Sequence, residues 1–499
     1  MKINYFWTVL AAAAVLVGCT EEKGHYDYSE LLEITLPELP EQYEVEQLER
    51  LEISPEWSFP APRTITDFDY LWMLEGIDGM GVEYIPDTLG REPQLSLTVD
   101  QALGNYQLYC FLTDRIDGRK YSISTALRVT NNTATGMLVL SNVEGYAQVS
   151  FINSFGQVST DVYLSRNGRP AGKNPISITS SGVNRNTWIS LTNHEHTIFI
   201  LCDDETGGVV CEPLMFTHIF DMGEMFVIRP EKIRPLQIFT PAFGLYELLN
   251  NDGRFHFRLL DKQYPLFELA GTASFEYDLF PYLAYNSISL IHGYCNLNQR
   301  FVSFSTGSPP VVSFYEPGDF TDAPFNPGLS TGMEMIFALN LDEDNVGGNH
   351  PYRCILKDNA GKKFLYGAML GGTSFSPVFV SDLSVHPELD QADKFTFTAN
   401  GTILLAAEGN RIHAFGAEAN QLFGTTELDI PAGETIDYIE IDQRSTYLYV
   451  GVSTGSRAAG SGSVYIYSIN NATGDLTLVE SYRNISGQIV DFEWKQMSF

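Results

Sequence analysis

The second part of the chain repeats one pattern seven times, and this repetition constrains the fold more than any other feature. Each copy has a short run of β-favouring residues, a polar turn rich in Gly, Asn or Asp, and a second β run. The copies occupy residues 137–152, 197–208, 245–253, 294–304, 352–370, 395–415 and 438–467. Their centres lie roughly 45–60 residues apart, about the length of a four-stranded propeller blade. The spacing predicts a seven-bladed β-propeller over residues 133–499.

The end of the chain suggests how such a ring would close. Residues 489–494 form a β run after the seventh copy, and we expect it to pair with the first blade. WD and kelch signatures do not occur in the sequence, so the prediction depends on spacing alone. A stack of β-hairpins in two sandwiches remains the alternative.

Composition agrees with a β-rich chain and limits its partners. Aromatic residues make up 13% of the chain, with 26 Tyr and 32 Phe, and such side chains suit a pleated surface. The 62 acidic and 30 basic residues give a formal net charge of −32. A surface this acidic repels phosphate backbones and anionic headgroups, so nucleic acid is not an expected partner.

The first residues of the chain predict a secretion signal. An apolar run at residues 6–17 follows Lys2 and is too short to span a bilayer. The following Gly18-Cys19 resembles the lipobox of bacterial lipoproteins, in which the cysteine is diacylated and becomes the first residue. The resemblance predicts a signal peptide at residues 1–18, lipidation of Cys19, and a flexible tether at residues 19–28 that attaches the protein to a membrane.

Residues 29–132 predict a β-sandwich of the immunoglobulin type. Trp72 lies within a β run, and residues 104–114 and 121–129 form a hairpin about Asp117-Gly118. The hairpin is similar to the G-x-Y-x-V-x-L-x-V-x-D pattern of PKD domains. Together with residues 24–28 after Cys19, it makes the chain resemble the PKD-like lipoproteins of Bacteroidetes-type bacteria. The fold class expected is therefore all-β, with an N-terminal immunoglobulin/PKD-like sandwich followed by the propeller.

The resemblance also implies a location and a partner. Members of that family typically accompany SusC/SusD-type uptake systems of the outer membrane. Acidic residues after the lipidated cysteine, here Glu21 and Glu22, resemble a surface-export signal. We therefore expect an outer-membrane lipoprotein that faces the cell exterior.

The other five cysteines are odd in number and scattered, so they do not form a disulfide framework. Cys202 and Cys211 could pair locally, but buried free thiols are favoured.

Three patterns suggest catalysis or metal binding, and each has a simpler explanation. His194 and His196 could share one face of a strand, but a third ligand is missing nearby. The acidic loop at residues 342–348 has Gly347 at the sixth position of an EF-hand pattern but Arg353 at the twelfth. Ser330 lies in a G-x-S-x-G sequence that follows a loop instead of a strand. We expect no catalytic residue, no metal and no cofactor.

One long loop is a candidate binding site. It is stiffened by Pro and Gly, and its aromatic rings with a nearby amide suit recognition of a sugar or peptide. The candidate residues are Phe314, Tyr315, Phe320, Phe325 and Asn326. The alternative is that these rings fasten the loop to the propeller.

These observations favour a non-catalytic accessory of a SusC/SusD-type transporter that binds a glycan or peptide or contacts the transporter. Two alternatives remain: a propeller-type polysaccharide hydrolase or lyase, and a purely structural subunit of the uptake complex.

Overall fold

The computed structural model describes most of the chain after the tether. The described residues are 34–47, 49–76, 87–101, 104–130, 133, 135–181, 197–239, 246–259, 266–269, 273–285, 290–305, 311–341, 349–371, 374–442 and 447–496. The chain forms two units, Met1–Thr130 and Asn131–Phe499. Within the described ranges, no helix is long and apolar enough to cross a membrane.

The first unit is a β-sandwich. Its five-stranded sheet has the order β1-β7-β6-β3-β4, and a second sheet pairs β2 with β5. Trp72 is fully buried on β3, and its indole nitrogen donates to the Glu92 carbonyl at 2.9 Å. The predicted hairpin is confirmed as β6 and β7. The strands are β1 Gln42–Glu46, β2 Arg50–Ile53, β3 Phe68–Gly76, β4 Asp87–Gly90, β5 Leu95–Thr98, β6 Gly104–Asp114 and β7 Lys120–Thr130.

The described residues of the second unit form seven four-stranded antiparallel sheets, which confirms the predicted seven-bladed propeller. Blade 1 has the order β10-β9-β8-β35, and its strands are β8 Thr135–Val143, β9 Tyr146–Asn153, β10 Val158–Ser159 and β35 Gln488–Gln496. Blade 2 comprises β11 Pro175–Ser181, β12 Thr197–Cys202, β13 Gly208–Cys211 and β14 His218–Asp221. Blade 3 comprises β15 Pro235–Phe239, β16 Tyr246–Asn251, β17 Arg254–Leu259 and β18 Glu268–Leu269.

The remaining blades follow the same order along the chain. Blade 4 comprises β19 Ala284–Tyr285, β20 Leu290–Cys295, β21 Arg300–Ser305 and β22 Val311–Phe314. Blade 5 comprises β23 Glu334–Asn340, β24 Asn349–Lys357, β25 Lys363–Gly371 and β26 Ser374–Asp382. Blade 6 comprises β27 Lys394–Phe397, β28 Ile403–Glu408, β29 Arg411–Gly416 and β30 Gln421–Glu427. Blade 7 comprises β31 Thr435–Ile441, β32 Tyr447–Ser453, β33 Gly462–Ile469 and β34 Leu476–Ser486.

In the part of the chain that the structure describes, helical structure is confined to short connections. There, one α-helix, α1, spans Val162–Asn167 between blades 1 and 2 and begins after Asp161, whose side chain accepts from the Leu164 amide. The 3-10 turns are Ile65–Asp67, Met222–Glu224, Pro317–Phe320, Leu383–Val385 and Pro387–Leu389.

The last strand closes the ring, as the sequence predicted. Strand β35 pairs with β8 in antiparallel register, with Gln488 opposite Asn142 and Gln496 opposite Thr135. Blade 1 therefore takes its innermost strand from the C-terminal end of the chain and its other three from residues 135–159. This pairing excludes the stacked-hairpin alternative, because the first and seventh sheets become neighbours only in a ring.

Apolar packing between the blades holds the ring together. Seven separate clusters of buried residues each contain side chains from two successive blades. On β12, Ile198 and Ile200 pack toward blade 1, whereas Phe199 and Leu201 pack toward blade 3. Both faces of the middle strands are therefore buried, which explains their continuous apolar runs in the sequence.

The topology places two kinds of connection on the same face of the propeller, which we call the top face. It carries the segments that join the last strand of one blade to the first strand of the next. It also carries the turns between the second and third strands of each blade, such as residues 203–207 and 252–253. Candidate binding residues on these connections therefore lie on one side of the ring.

Lys495 is an unusual buried charge on the closing strand. Its side chain is 1% exposed and lies between the rings of Phe151 and Phe216, at 4.8 and 4.9 Å from their centroids. The Lys495 ammonium donates to the Pro213 carbonyl at 2.6 Å. Burial lowers the pKa of Lys495 to about 7. The ammonium form therefore costs free energy in the folded state.

We predict that Lys495→Met stabilises the protein at neutral pH. An unfolded lysine has a pKa of about 10.4, so between pH 7 and 10 the unfolded chain holds a proton that the folded protein lacks. Wild-type stability should therefore rise with pH across this window. The Met variant should be more stable by about 1–4 kcal/mol at pH 7 and by much less at pH 10. Urea unfolding followed by circular dichroism measures this, with the more exposed Lys357→Met as control. A Met variant that is less stable at pH 7 would contradict the prediction.

Candidate functional site

The aromatic loop that the sequence singled out joins blade 4 to blade 5. Phe314 ends β22, and the 3-10 turn Pro317–Phe320 follows. Asn326 holds the loop together, because its amide nitrogen donates to the Pro317 carbonyl at 2.8 Å and its amide oxygen accepts from the Gly328 amide at 3.0 Å. The amide is therefore committed to the loop's own backbone.

The four rings of this loop pack on the propeller or on each other. Phe314 stacks on Phe275 at 3.8 Å between centroids, and Phe325 meets Tyr366 edge-on at 4.9 Å. Tyr315 packs 5.3 Å from Phe375 and edge-on against Phe320 at 5.7 Å. These contacts supply a packing role between blades 4 and 5, and ligand binding by these residues stays a prediction.

Tyr315 also makes a polar contact inside this interface. Its hydroxyl hydrogen-bonds to Nδ1 of His292, which is 1% exposed on β20. Burial lowers the pKa of His292 to about 3 and raises the pKa of Tyr315 well above its ordinary value. Both groups are therefore neutral at physiological pH, and the pair anchors the loop.

The other sequence candidates are not brought together. His194, His196 and the loop at 342–348 lie outside the described residues. Ser330 is exposed, and its hydroxyl accepts from the Gly332 amide at 3.4 Å in a turn that leads into β23, without the strand–turn–helix of a nucleophile elbow. The described residues contain no group of three His, Cys, Asp or Glu placed to hold a metal ion.

Cys202 and Cys211 are buried free thiols, as the sequence favoured. In the β12–β13 hairpin, Cys211 lies opposite Ile198, whereas Cys202 lies at the end where Leu201 faces Gly208. The two cysteines are therefore at opposite ends of the hairpin and do not pair.

A cavity of about 760 Å³ opens on the top face at blade 3, and we call it the top-face cavity. It is lined by the connection at residues 227–236, the turn at 251–254, His256, the strand end at 268–269 and residues 277–278. Its volume falls in the range of about 300–1,000 Å³ that is typical of sites for small ligands.

The charge of this cavity differs from that of the whole chain. Its lining contains four basic residues, Arg229, Lys232, Arg234 and Arg254, and four acidic residues, Glu231, Asp252, Glu268 and Asp278. The chain as a whole has about twice as many acidic as basic residues. The cavity is therefore a locally balanced region on an acidic protein.

Two of the four cations are paired with carboxylates. Lys232 donates to Asp252 at 2.7 Å, and Arg234 bridges Asp203 at 3.0 Å and Asp252 at 3.6 Å. Arg234 thereby ties the turn of blade 2 to the turn of blade 3. These pairs give the cavity a fixed wall.

The other two cations have different surroundings. Arg229 donates to the Glu205 carbonyl at 3.2 Å, and Arg254 lies over the ring of Tyr277 at 4.9 Å. Among the described residues, neither guanidinium makes an ion pair with a carboxylate. Both retain N–H donors that a ligand can use, because a guanidinium carries five.

A neutral histidine lies beneath these groups. His256 is 4% exposed, its Nδ1 lies 3.2 Å from the Arg254 carbonyl, and its ring meets Phe226 edge-on at 5.2 Å. Burial lowers the pKa of His256 to about 4. His256 therefore stays neutral across the physiological pH range.

A smaller cavity of about 440 Å³ lies on the same face between blades 6 and 7. Its cations are close to neighbouring carboxylates, with Lys394 2.6 Å from Asp393 and Arg411 3.8 Å from Glu408. It offers less volume and fewer unpaired donors than the top-face cavity.

A pair of partly buried carboxyls joins the closing strand to its neighbours. Asp491 on β35 accepts from the Ile178 amide of β11 at 2.9 Å. The Tyr438 hydroxyl on β31 interacts with both Asp491 and Glu440. Burial raises the pKa of Asp491 to about 7 and that of Glu440 well above its ordinary value, and each charge disfavours the other. The pair connects blades 7, 1 and 2.

Sequence reasoning missed both the cavity and this carboxyl pair. The segment at 229–234 contains three basic residues within six, and such a cluster in an acidic chain was a signal for the cavity. The carboxyl pair gave no local signal, because Glu440 and Asp491 are 51 positions apart and meet only through ring closure.

The comparisons with known proteins agree with the N-terminal assignment. The PKD-like family model matches residues 19–175, which confirms the predicted resemblance to that family for this part of the chain. No curated protein matches the chain.

Two solved structures illustrate the likeness to known folds. A quinonprotein alcohol dehydrogenase-like protein from Bacteroides thetaiotaomicron is 14% identical, with a TM-score of 0.43 and coverage of 93% of this chain and 99% of that one. A 6-phosphogluconolactonase candidate from Bacteroides uniformis is 12% identical, with a TM-score of 0.43 and coverage of 72% and 99%. The propeller assignment itself follows from the strand pairing.

We predict that Phe325→Ala destabilises the protein. Removing this ring leaves a gap against Tyr366 and Phe375 at the interface of blades 4 and 5, which should cost about 2–4 kcal/mol. Chemical unfolding measures the loss. Leu329→Ala, in the same connection but 53% exposed, is the control and should change stability by less than about 0.5 kcal/mol. Unchanged stability of Phe325→Ala would show that the ring does not fasten the loop.

We also predict that Asp491→Asn stabilises the protein above neutral pH. An unfolded Asp has a pKa of about 3.9, so between pH 4 and 7 the folded protein holds a proton that the unfolded chain has lost. The contribution of Asp491 to stability therefore falls as pH rises through this window. Asn stays neutral and can still accept from the Ile178 amide, so the variant should gain on the order of 1–3 kcal/mol at pH 8 and little at pH 4. Thermal melts at both pH values test this, with exposed Asp475→Asn as control. A loss of stability at pH 8 would refute it.

Proposed function

We propose that this protein is a surface lipoprotein of the outer membrane that captures a ligand in the top-face cavity for a SusC/SusD-type uptake system, without catalysis. The observation that carries the proposal is the cavity itself, about 760 Å³ in volume with unpaired guanidinium donors at Arg229 and Arg254. Its size and mixed lining suit a peptide or a short glycan.

The N-terminal part of the chain supports the anchoring half of this proposal. Gly18-Cys19 resembles a lipobox, and the match to the PKD-like family begins at residue 19. The sandwich in residues 34–130 separates this cysteine from the propeller along the chain. A tethered recognition domain is the arrangement that capture of a nutrient at a cell surface needs.

The chemistry of the cavity supports binding over turnover. General acid–base catalysis needs a group whose pKa lies near the working pH. Burial holds the pKa of His256 at about 4, and Asp252 is occupied by Lys232 and Arg234. The guanidinium donors of Arg229 and Arg254 are instead suited to holding a ligand in place.

We predict that blocking the cavity abolishes capture. Leu269 is 62% exposed at the cavity edge, so Leu269→Trp should narrow the entrance without disturbing the core. The purified protein is incubated with a tryptic casein digest and with maltooligosaccharides, and mass spectrometry measures which components are retained. The variant should retain at least about tenfold less of the components that bind wild type.

The control is Leu478→Trp, since Leu478 is 48% exposed on the outer strand of blade 7 and should leave retention unchanged. The same spectra reveal turnover, because new cleavage products would refute the non-catalytic role. In cells of the source bacterium, deletion of the protein should reduce ligand capture or alter the composition of the transporter complex. If neither changes, the accessory role is refuted.

A further inference from the structure

We propose that the ligand of the top-face cavity is a short peptide that carries a carboxylate, held by Arg229 and Arg254. The inference rests on the proposed function, because it takes the same cavity as the capture site and adds the chemical class of the ligand.

The two guanidinium groups supply the charge recognition. They lie on different elements, Arg229 on the connection from blade 2 to blade 3 and Arg254 on the turn between β16 and β17. Each is held in place by a contact that leaves further N–H donors available: Arg229 by the Glu205 carbonyl and Arg254 by the ring of Tyr277. Guanidinium forms short, frequently bidentate hydrogen bonds with carboxylate, so two such groups at one cavity favour a carboxylated ligand.

One of the four acidic lining residues, Asp252, is already neutralised by Lys232 and Arg234. The overall charge of −32 repels anions from the rest of the surface, so a carboxylated ligand that binds must meet a local concentration of cations. Within the described part of the propeller, Arg229 and Arg254 place two such cations on the wall of this cavity.

The rim of the cavity favours a peptide over a sugar. Val227, Ile228 and Leu269 are 53%, 83% and 62% exposed, and all three line the cavity. Exposed aliphatic side chains grouped beside a cavity indicate contacts with apolar groups of a ligand. A sugar ring would instead call for an open aromatic face, but Tyr277 is 5% exposed and Arg254 covers its ring. A peptide offers both aliphatic side chains and a carboxylate.

Isothermal titration calorimetry with two defined peptides tests the proposal on the purified full chain. The acidic probe is N-acetyl-Ala-Leu-Ile-Glu with a free carboxyl end, and the neutral probe is N-acetyl-Ala-Leu-Ile-Gln amide. We expect the acidic probe to bind at least about tenfold more tightly than the neutral one. Arg254→Gln and Arg229→Gln should each weaken the binding of the acidic probe about tenfold. Neither variant should change the affinity for the neutral probe.

Two further variants separate recognition from folding. Arg254→Lys keeps the charge but loses the planar donor pair, so it should retain part of the affinity lost in Arg254→Gln. Arg457→Gln removes the same charge from the top face at blade 7, and it should leave the affinity for both probes unchanged. Thermal melts confirm that each variant folds as wild type does.

Three results would overturn the inference. Equal binding of the two probes, or acidic binding that both Gln variants leave intact, would refute carboxylate recognition. Binding of tetragalacturonate that depends on Arg254, without binding of either peptide, would assign the cavity to an acidic glycan. In these cases Leu269→Trp would still abolish binding, and the proposed capture site would stand. If Leu269→Trp leaves the binding of every probe intact, the proposed function fails as well.

Discussion

The structure depends on apolar packing between neighbouring blades. Each blade buries both faces of its middle strands, one against the preceding blade and one against the next, so no blade can be removed without exposing two apolar surfaces. The side-chain alternation of a strand makes this possible, because successive residues point to opposite faces. A hydrophobic run such as residues 198–202 therefore serves two interfaces at once.

This requirement explains the unusual chemistry of the closing strand. A ring of blades has two free faces unless its ends join, and β35 joins them by completing blade 1. The same strand contains Lys495 and Asp491. Burial lowers the pKa of Lys495 and raises the pKa of Asp491, so it favours the neutral form of each side chain. The closing strand therefore contains two polar groups that cost free energy when they are ionised. Their hydrogen bonds to Pro213 and Ile178 fix which elements lie next to this strand. The ring is joined by specific contacts as well as by apolar surface.

The candidate site uses the part of the fold that this packing leaves free. The connections on the top face do not contribute to the sheets, so their side chains are available for binding. At blade 3, ion pairs across Asp203, Arg234 and Asp252 hold two of these connections together. The result is a cavity with a rigid wall, which lowers the entropy cost of binding a ligand. The aromatic loop between blades 4 and 5 uses its rings for packing instead.

The sequence by itself determined the all-β class, and it predicted the seven blades and the pairing of the last strand with the first blade. It could do so because these features come from local patterns: runs of β-favouring residues, polar turns and their regular spacing. It also indicated the N-terminal sandwich through Trp72 and the hairpin of residues 104–130. Only the tertiary structure decided where the cavity lies and which charges in it are paired. Arg229 and Arg254 are separated by 25 positions, and Asp252 in the same cavity is occupied by Lys232 and Arg234, so the availability of the two guanidinium groups is a property of the folded chain. The same holds for Asp491 and Lys495, because a buried charge becomes visible only when the surrounding blades are in place.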